Sequence, residues 1–388
     1  MPRLIVFLLL IGWLLGCVSA YDPQLQLTAD LIVVSGIITD QDSPQTITLS
    51  RLHANADSSI NTPIRNAQVE VLIDGTGVML SERDAGTYIL PEDVRGKVGS
   101  SYQLRFRTEE GIAYQSTVET MVAVPTISRV YDMPHTDLIP VGDTVVPASD
   151  IFFDYQDPPG TANFYLWRWR NYESQDYCAS CRQGRYTIRD IGPVGSGPLE
   201  VLGCVVDPTI RSYVYYDYPC RGQCWDIFYS TAIDVLSDVY TNGTFQLAHK
   251  AATIPAYQAS PALIVIEQLS LSANAYRYYR LFADQVQNTG TLADSPPAPL
   301  VGNVTNTANP QEQVVGYFSA ASVTSYSYKF TRQRLNVSRY IGLFRAENGR
   351  QPRREEERTN PIFGTSLPSA LCIPSHTRTD QLPPGWNQ

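Results

Sequence analysis

From residue 31 onward, apolar and polar side chains alternate with the period of strands rather than helices. Leu31 to Thr39 is rich in β-branched residues, and Asp40-Gln41-Asp42-Ser43-Pro44 after it predicts a turn. Thr46-Ile47-Thr48-Leu49-Ser50 alternates as a half-buried strand does. Ala67, Val69, Val71 and Ile73 fall on one face with Gln68 and Glu70 opposite, and Asp74-Gly75 supplies a turn that tolerates positive φ. Gly86 to Leu90 follows. Tyr102, Leu104 and Phe106 then alternate with Gln103, Arg105 and Arg107, and Glu109-Glu110-Gly111 turns the chain into Ile112 to Val118. About seven strands in roughly 95 residues, with turns every 8–12, predict a small immunoglobulin-like or prealbumin-like β-sandwich over residues 28–124.

Residues 125–344 read as a larger β-rich domain. Its predicted strands are Ile151 to Tyr155, Phe164 to Arg170, Tyr213 to Tyr218, Ile227 to Tyr229, Phe245 to Ala248, Leu263 to Glu267, Tyr317-Phe318 and Tyr326 to Phe330. One segment has helical period. Ala275, Tyr279, Phe282 and Val286 make an apolar stripe for core packing on a helix near 273–288, with Ser272 as its cap and Asn288-Thr289-Gly290 at its end. Pro296-Pro297-Ala298-Pro299 forbids further helix. The segment 345–388, with its Arg353 to Arg358 charge cluster and several prolines, is expected to be an extended tail.

The N-terminus has a different pattern. A basic Met1-Pro2-Arg3 start precedes an almost unbroken apolar run from Leu4 to Leu15. That run is too short for a membrane-spanning helix, which needs about 20 residues, but it suits the apolar region of a secretory signal. Leu14-Leu15-Gly16-Cys17 closes it in the manner of a bacterial lipobox. Residues 1–16 are then a lipoprotein signal peptide, Cys17 takes the lipid, and 17–27 is a tether. The alternative is an ordinary signal peptide cleaved after Val18-Ser19-Ala20. A single acyl chain holds a protein only marginally, at about 0.8 kcal/mol per buried CH₂, so stable anchoring needs the two or three chains of a mature lipoprotein.

Composition narrows the class. A net charge of −9 lacks the basic stripe that nucleic acid demands. Tyr (24), Pro (27) and Gly (25) are plentiful while charged residues are 17%, a mixture that favours short strands joined by turns. Beyond Cys17 there are six cysteines, Cys178, Cys181, Cys204, Cys220, Cys224 and Cys372, an even number that reads as disulfides in an exported chain. Five of them lie between 178 and 224. If all are paired, at least one bridge reaches Cys372 and staples the tail, with its partner left open. Zinc held by Cys178-Ala179-Ser180-Cys181 and Cys220-Arg221-Gly222-Gln223-Cys224 is geometrically acceptable. A redox C-x-x-C is the third reading, but it wants a helix N-terminus that nothing here suggests. Structural disulfides are the favoured one.

Catalytic signatures are absent from the sequence: no G-x-S-x-G elbow, P-loop, dinucleotide fingerprint or H-E-x-x-H occurs. His53, His135, His249 and His376 are scattered. The acid pairs Asp40/Asp42 and Asp154/Asp157 sit in turn contexts, where Asp bonds nearby backbone. No catalytic residue, metal or cofactor is therefore expected. Tyr165, Trp167 and Trp169 are candidates for stacking against a sugar or other ligand. The same rings are ordinary core material, and that reading is preferred.

Several blocks together resemble a known family. Asn66 to Val71, Gly86-Thr87-Tyr88 and Gly99 to Leu104 come first, and Gly302-Asn303-Val304 with Gly316-Tyr317-Phe318-Ser319-Ala320 later. Cys372-Ile373-Pro374-Ser375 and Pro384-Gly385-Trp386 close the chain. This pattern, opening on a lipobox, resembles the Bacteroidota lipoproteins grouped as domain-of-unknown-function family 4249. The resemblance implies an outer-membrane lipoprotein that accompanies a TonB-dependent receptor in nutrient uptake, and it carries over no catalytic residues. Val18 to Asp22 offers a single acid, which leaves the periplasmic and cell-surface faces both open. The expected function is that of a non-enzymatic accessory lipoprotein. A stand-alone glycan- or peptide-binding lipoprotein is the alternative, and a cryptic hydrolase the third reading.

Overall fold

A computed structural model describes residues 29–55, 58–141, 144–175, 177–182, 184–190, 199–206, 208–209, 215–219, 223–287, 300–335, 337, 358–360, 364–366 and 372–387. The signal peptide, Cys17, the tether and Cys220 lie outside the described residues. Among the described residues the chain is mainly β, with sandwich-like sheets, no closed barrel and one α-helix.

The first unit is built from β1 (Ala29–Thr39), β2 (Thr46–Ala54), β3 (Ser59–Pro63), β4 (Gln68–Ile73), β5 (Thr76–Met79), β6 (Ser81–Asp84), β7 (Thr87–Ile89), β8 (Ser101–Arg107), β9 (Ala113–Ser116) and β10 (Glu119–Thr120). β1, β2, β7 and β6 form one sheet, with β3 beside β2; β9, β8, β4 and β5 form the other, with β10 beside β8. Ile32, Val34, Ile47 and Leu49 of the first sheet meet Val69, Val71, Leu104 and Phe106 of the second in one buried cluster. These are the alternating positions that mark the strands in the sequence. The additional strands β3, β5 and β6 are short and largely exposed, so no apolar alternation betrays them.

The second unit begins with a long hairpin, β11 (Ile127–Val141) and β12 (Thr144–Gln156), followed by β13 (Phe164–Ser174). Four strands whose backbones pair as two ribbons come next: β14 (Tyr177–Arg182) with β17 (Tyr215–Pro219), and β15 (Gly184–Asp190) with β16 (Leu199–Val206). Then follow β18 (Trp225–Tyr229), β19 (Asp234–Ser237), β20 (Phe245–Pro255), β21 (Ala262–Ser270) and the helix α1 (Ala273–Gln287). β11, β12 and β20 make one sheet, and β21, β13 and β18 the centre of its partner. Ile151, Phe153 and Ile254 pack across the gap on Tyr165, Trp167 and Ile264. β11 was not expected from sequence because Pro134 and Pro140 interrupt it; it lies at the sheet edge, where proline is tolerated.

After the helix come β22 (Val304–Asn306), β23 (Val314–Ala321) and β24 (Val323–Phe330), and here the expected boundary at residue 124 gives way. β24 joins β21 in the second unit. β22 pairs with β9, and β23 lies parallel to β1 with Val34 opposite Gly316, so both return to the first unit. Val304, Val314, Phe318 and Ala320 enter its core. The first sandwich is thus discontinuous in sequence. Two glycines permit the return. A Cβ on Gly302 would stand 1.9 Å from the carbonyl oxygen of Gly316, and one on Gly316, whose φ is +93°, would stand 1.9 Å from that of Val34.

The helix starts where expected. Ser272 Oγ accepts from the Ala275 amide at 3.1 Å, and the Ser272 carbonyl accepts from Tyr276 at 2.9 Å. Its apolar stripe ends a turn early, because Ala283 is buried while Val286 is exposed. Tyr276, Tyr278 and Tyr279 pack beside Leu166, Leu269 and Leu271 of the second unit and Tyr317 of the first. One helix face therefore joins the two sandwiches.

The tail is not wholly extended. Cys372 is bonded to Cys224 across 148 residues, with Cα atoms 5.6 Å apart. β25 (Arg358–Asn360) and β26 (Gly364–Ser366) pair with each other, and β27 (Arg378–Thr379) adds to β18. Arg378 Nε lies 2.6 Å from Asp226 Oδ1, and the Trp386 ring meets Trp225 edge-on at 5.5 Å. Nearby, the side chains of Arg332 and Glu173 are fully buried and paired, with Asn171 Nδ2 donating to the carboxylate at 2.8 Å.

A fragment ending at residue 125 is expected to stay unfolded, because it lacks β22, β23 and the Phe318 side chain. The same fragment linked to residues 300–322 is expected to give the dispersed amide spectrum of a folded sandwich. Replacing Cys224 and Cys372 by serine is expected to lower stability in guanidinium titrations by up to about 5 kcal/mol, the chain-entropy value for a loop of this length.

Candidate functional site

The three aromatic residues singled out for ligand stacking do not form a surface site. β13 puts alternate side chains into the second core, so Tyr165 and Trp167 are 1% and 2% exposed, and Trp169 packs partly buried against the same cluster. Their polar handles are also engaged internally. Trp167 Nε1 donates to Gln268 Oε1 at 2.9 Å, and the Tyr165 hydroxyl donates to Asp157 Oδ1 at 2.5 Å. A sugar ring has no face of Tyr165 or Trp167 to stack on.

The other candidates are dispersed. Of the six cysteines, only the Cys224–Cys372 bridge is described; Cys178 and Cys181 lie on β14 and Cys204 on β16, where the backbone alone is described, and Cys220 falls outside. His249 Nε2 meets Asp234 Oδ2 at 2.7 Å, His376 stacks on Tyr229, His53 lies 3.5 Å from Asp30, and His135 contacts the carbonyl of Asp137. Asp40 leaves its own turn to accept from Ser322 Oγ at 2.6 Å and the Val323 amide at 2.9 Å. Asp42 pairs with Arg95. Asp154 accepts from the Ala248 amide, whereas Asp157 faces Tyr165 and the Gly243 amide, so the two do not converge. Among the described residues no group of three or more His, Cys, Asp or Glu side chains is placed to hold a metal ion.

Buried acids organise the polar interior. Asp157 has its pKa raised by burial, with the neighbouring Asp238 charge adding to the shift. Asp238 accepts from the backbone and side-chain amides of Asn163 at 2.8 and 3.0 Å, which closes the loops at that end of the second sandwich.

Glu119 is the more central. It is 1% exposed and sits where the first unit passes into the second. Tyr317 donates to it at 2.8 Å, Ser272 at 2.5 Å and Thr117 at 3.4 Å, and Asn303 Nδ2 reaches it at 3.5 Å. Ser272 is also the helix cap, so one carboxylate ties the helix N-terminus to β23. Asn303 extends the network: its amide donates to the Phe318 carbonyl at 2.7 Å and accepts from the Phe318 amide at 2.9 Å, as a neighbouring strand would. Beside Glu119 a cavity of about 290 Å³ opens between the units, lined by Val118, Val122, Phe164, Leu271 and Ser272. Burial raises the Glu119 pKa against the lowering pull of its four donors, and burial with the nearby Glu119 charge pushes the Tyr317 hydroxyl upward. With its donors already converging on it, Glu119 acts as a structural junction. Sequence reading missed it; its one signal was a lone acid in the apolar stretch Val118 to Val122.

Two β-sandwiches sharing strands from one late segment, bridged by a helix and closed by a disulfide, define the class of protein. Residues 18–327 match the family described as Domain of unknown function (DUF4249), and the chain belongs to that family. No curated protein matches the chain, and no solved structure does.

The raised pKa of Glu119 sets a pH dependence. Because its folded value lies above the ordinary 4.5, the folded state holds its proton more tightly than the unfolded state; stability from this group is full below about 4.5 and is lost as pH rises through the folded value. Glu119→Gln removes that titration. The wild-type melting temperature minus that of the variant is expected to fall as pH rises from 4.5 toward neutrality.

Proposed function

We propose that the protein is a lipid-anchored accessory lipoprotein of the outer membrane, working without catalysis beside a TonB-dependent receptor in nutrient uptake. The observation that carries this reading is Leu14-Leu15-Gly16-Cys17, closing the apolar run directly before residue 18, where the family match begins. Residues 18–28 then separate the lipid from β1, a contour of at most about 40 Å at 3.3–3.6 Å per residue. That length holds the sandwiches within reach of a membrane-embedded partner.

The surface supports a binding role. The β11–β12 hairpin presents exposed Met133, Leu138 and Val145, apolar side chains that a protein partner would cover. Among the described residues no helix is long and apolar enough to cross a membrane, so on this reading Cys17 supplies the attachment. The alternative of a stand-alone glycan or peptide binder loses the aromatic trio that motivated it.

Mass spectrometry of the mature protein is expected to find an acylated Cys17, and Cys17→Ser is expected to leave the membrane fraction. Affinity purification after mild detergent extraction is expected to recover a barrel receptor. An unmodified N-terminus, or recovery as a lone monomer across growth conditions, overturns the reading.

A further inference from the structure

The outer face of the first sandwich carries an arrangement that its core does not require. Leu104 and Phe106 of β8 point inward, so Gln103, Arg105 and Arg107 stand on the opposite side. The register aligns these with neighbouring strands. Met79 pairs with Glu70, Glu70 with Arg105, Arg105 with Gln115, and Gln115 with Thr305. A row of side chains from five strands thus crosses the sheet, and Gln68 opposite Arg107 starts a second row beside it. At about 4.8 Å between strands the row is roughly 19 Å long. An open groove of about 560 Å³ lies along it.

The two arginines in this groove have little to bond. Arg105 Nη2 donates to Gln103 Oε1 at 3.3 Å, and Arg107 Nη1 to the Gly111 carbonyl at 2.9 Å. A guanidinium has five N–H donors, so most of this capacity is unused among the described residues. Glu70 is the cross-strand neighbour of Arg105, yet it does not pair with it. Its Oε2 instead lies over Gly77, 2.8 Å from where a Cβ would stand. The missing side chain at Gly77 gives the carboxylate a resting place on β5 and leaves Arg105 open.

We infer that this groove binds an oligosaccharide whose sugars carry carboxylates. Planar guanidinium groups bind carboxylates through two parallel hydrogen bonds. The Gln68 and Gln115 amides offer both the donor and the acceptor that sugar hydroxyls need, and exposed Met79 gives an apolar patch for a ring face. A peptide fits less well. The groove lies on the face of the sheet, so no main-chain ladder is available, and charged or amide side chains make up half of its lining residues. With a net charge of −9 on the chain, general attraction to polyanions does not account for such binding. The inference goes beyond the receptor partnership and does not depend on the lipid anchor.

The test is calorimetric titration of the full mature chain with carboxylated tetrasaccharides from galacturonan, guluronan and hyaluronan. A neutral tetrasaccharide and an all-glutamate hexapeptide serve as controls. At least one carboxylated sugar is expected to bind, about tenfold or more weakly to an Arg105→Gln/Arg107→Gln variant and a few-fold more tightly to Glu70→Gln, with melting temperatures unchanged. Three outcomes overturn the proposal: none of the three sugars binds, binding survives loss of both arginines, or the neutral sugar binds equally well. Arginine-dependent binding of the peptide in place of the sugars also overturns it, by assigning the groove to acidic peptides. None of these results touches the receptor reading, which the anchor and purification experiments decide.

Discussion

The parallel pairing of β1 with β23 is the constraint from which the rest of the architecture follows. It joins residues almost three hundred positions apart, and it requires two backbones to approach more closely than side chains allow. Gly316 lies against the Val34 carbonyl and Gly302 against Gly316. Once β23 is seated there, Phe318 fills the first core and Tyr317 turns outward to meet the helix. Asn303 then completes the hydrogen bonds of Phe318 that no strand supplies. Contacts of Tyr317 with the helix and of Asn303 with Phe318 are arranged around that return.

Glu119 turns this packing into a fixed junction. Ser272 brings the helix, Tyr317 brings the late strand, Thr117 brings the end of the first unit, and all three donate to one buried carboxylate. A buried acid costs stability unless it is satisfied, and removing one partner leaves the remaining group unpaired at a cost of about 1–3 kcal/mol. The buried Arg332–Glu173 pair does similar work within the second unit. There the arginine also bonds the carbonyls of Gln258 and Ser260, which ties a chain turn to β13. Such polar centres select one relative placement of the strands, whereas apolar packing alone tolerates several.

Much of the strand content was legible as alternation. The cores of β1, β2, β4 and β8 are the residues whose spacing announced them, and Ser272 announced the helix. What escaped has a physical reason in each case. β3, β5 and β6 are exposed edge pieces, where neither face needs apolar side chains. β11 is broken by Pro134 and Pro140, which an edge strand accommodates and a sequence pattern does not. Tyr165 and Trp167 offered the same residue types to a ligand site and to a core, and only the β13 register decides between them. The partner of Cys372 depended on long-range geometry; the parity of the cysteines implied only that, if all were paired, one bridge would reach the tail. Gln68, Glu70, Arg105 and Arg107 were visible as the polar half of two strands. Their alignment into one row emerged with the strand order, which alternation does not encode.

The glycine-mediated return of β23 also shapes how the molecule is made. A ribosome releases β1 first and β23 only after most of the chain, so the earliest sandwich to begin emerging cannot close until that late segment arrives. Until Phe318 arrives, Ile32, Val34 and Ile38 lack part of their covering, and the flank of β1 that β23 will occupy is an open edge inviting strands from other molecules. The second unit also waits for late residues, because β24 and β27 complete the sheet of β21, β13 and β18. Both modules thus stay unfinished until late in synthesis, and the opening one spans the longer wait between its first strand and its last.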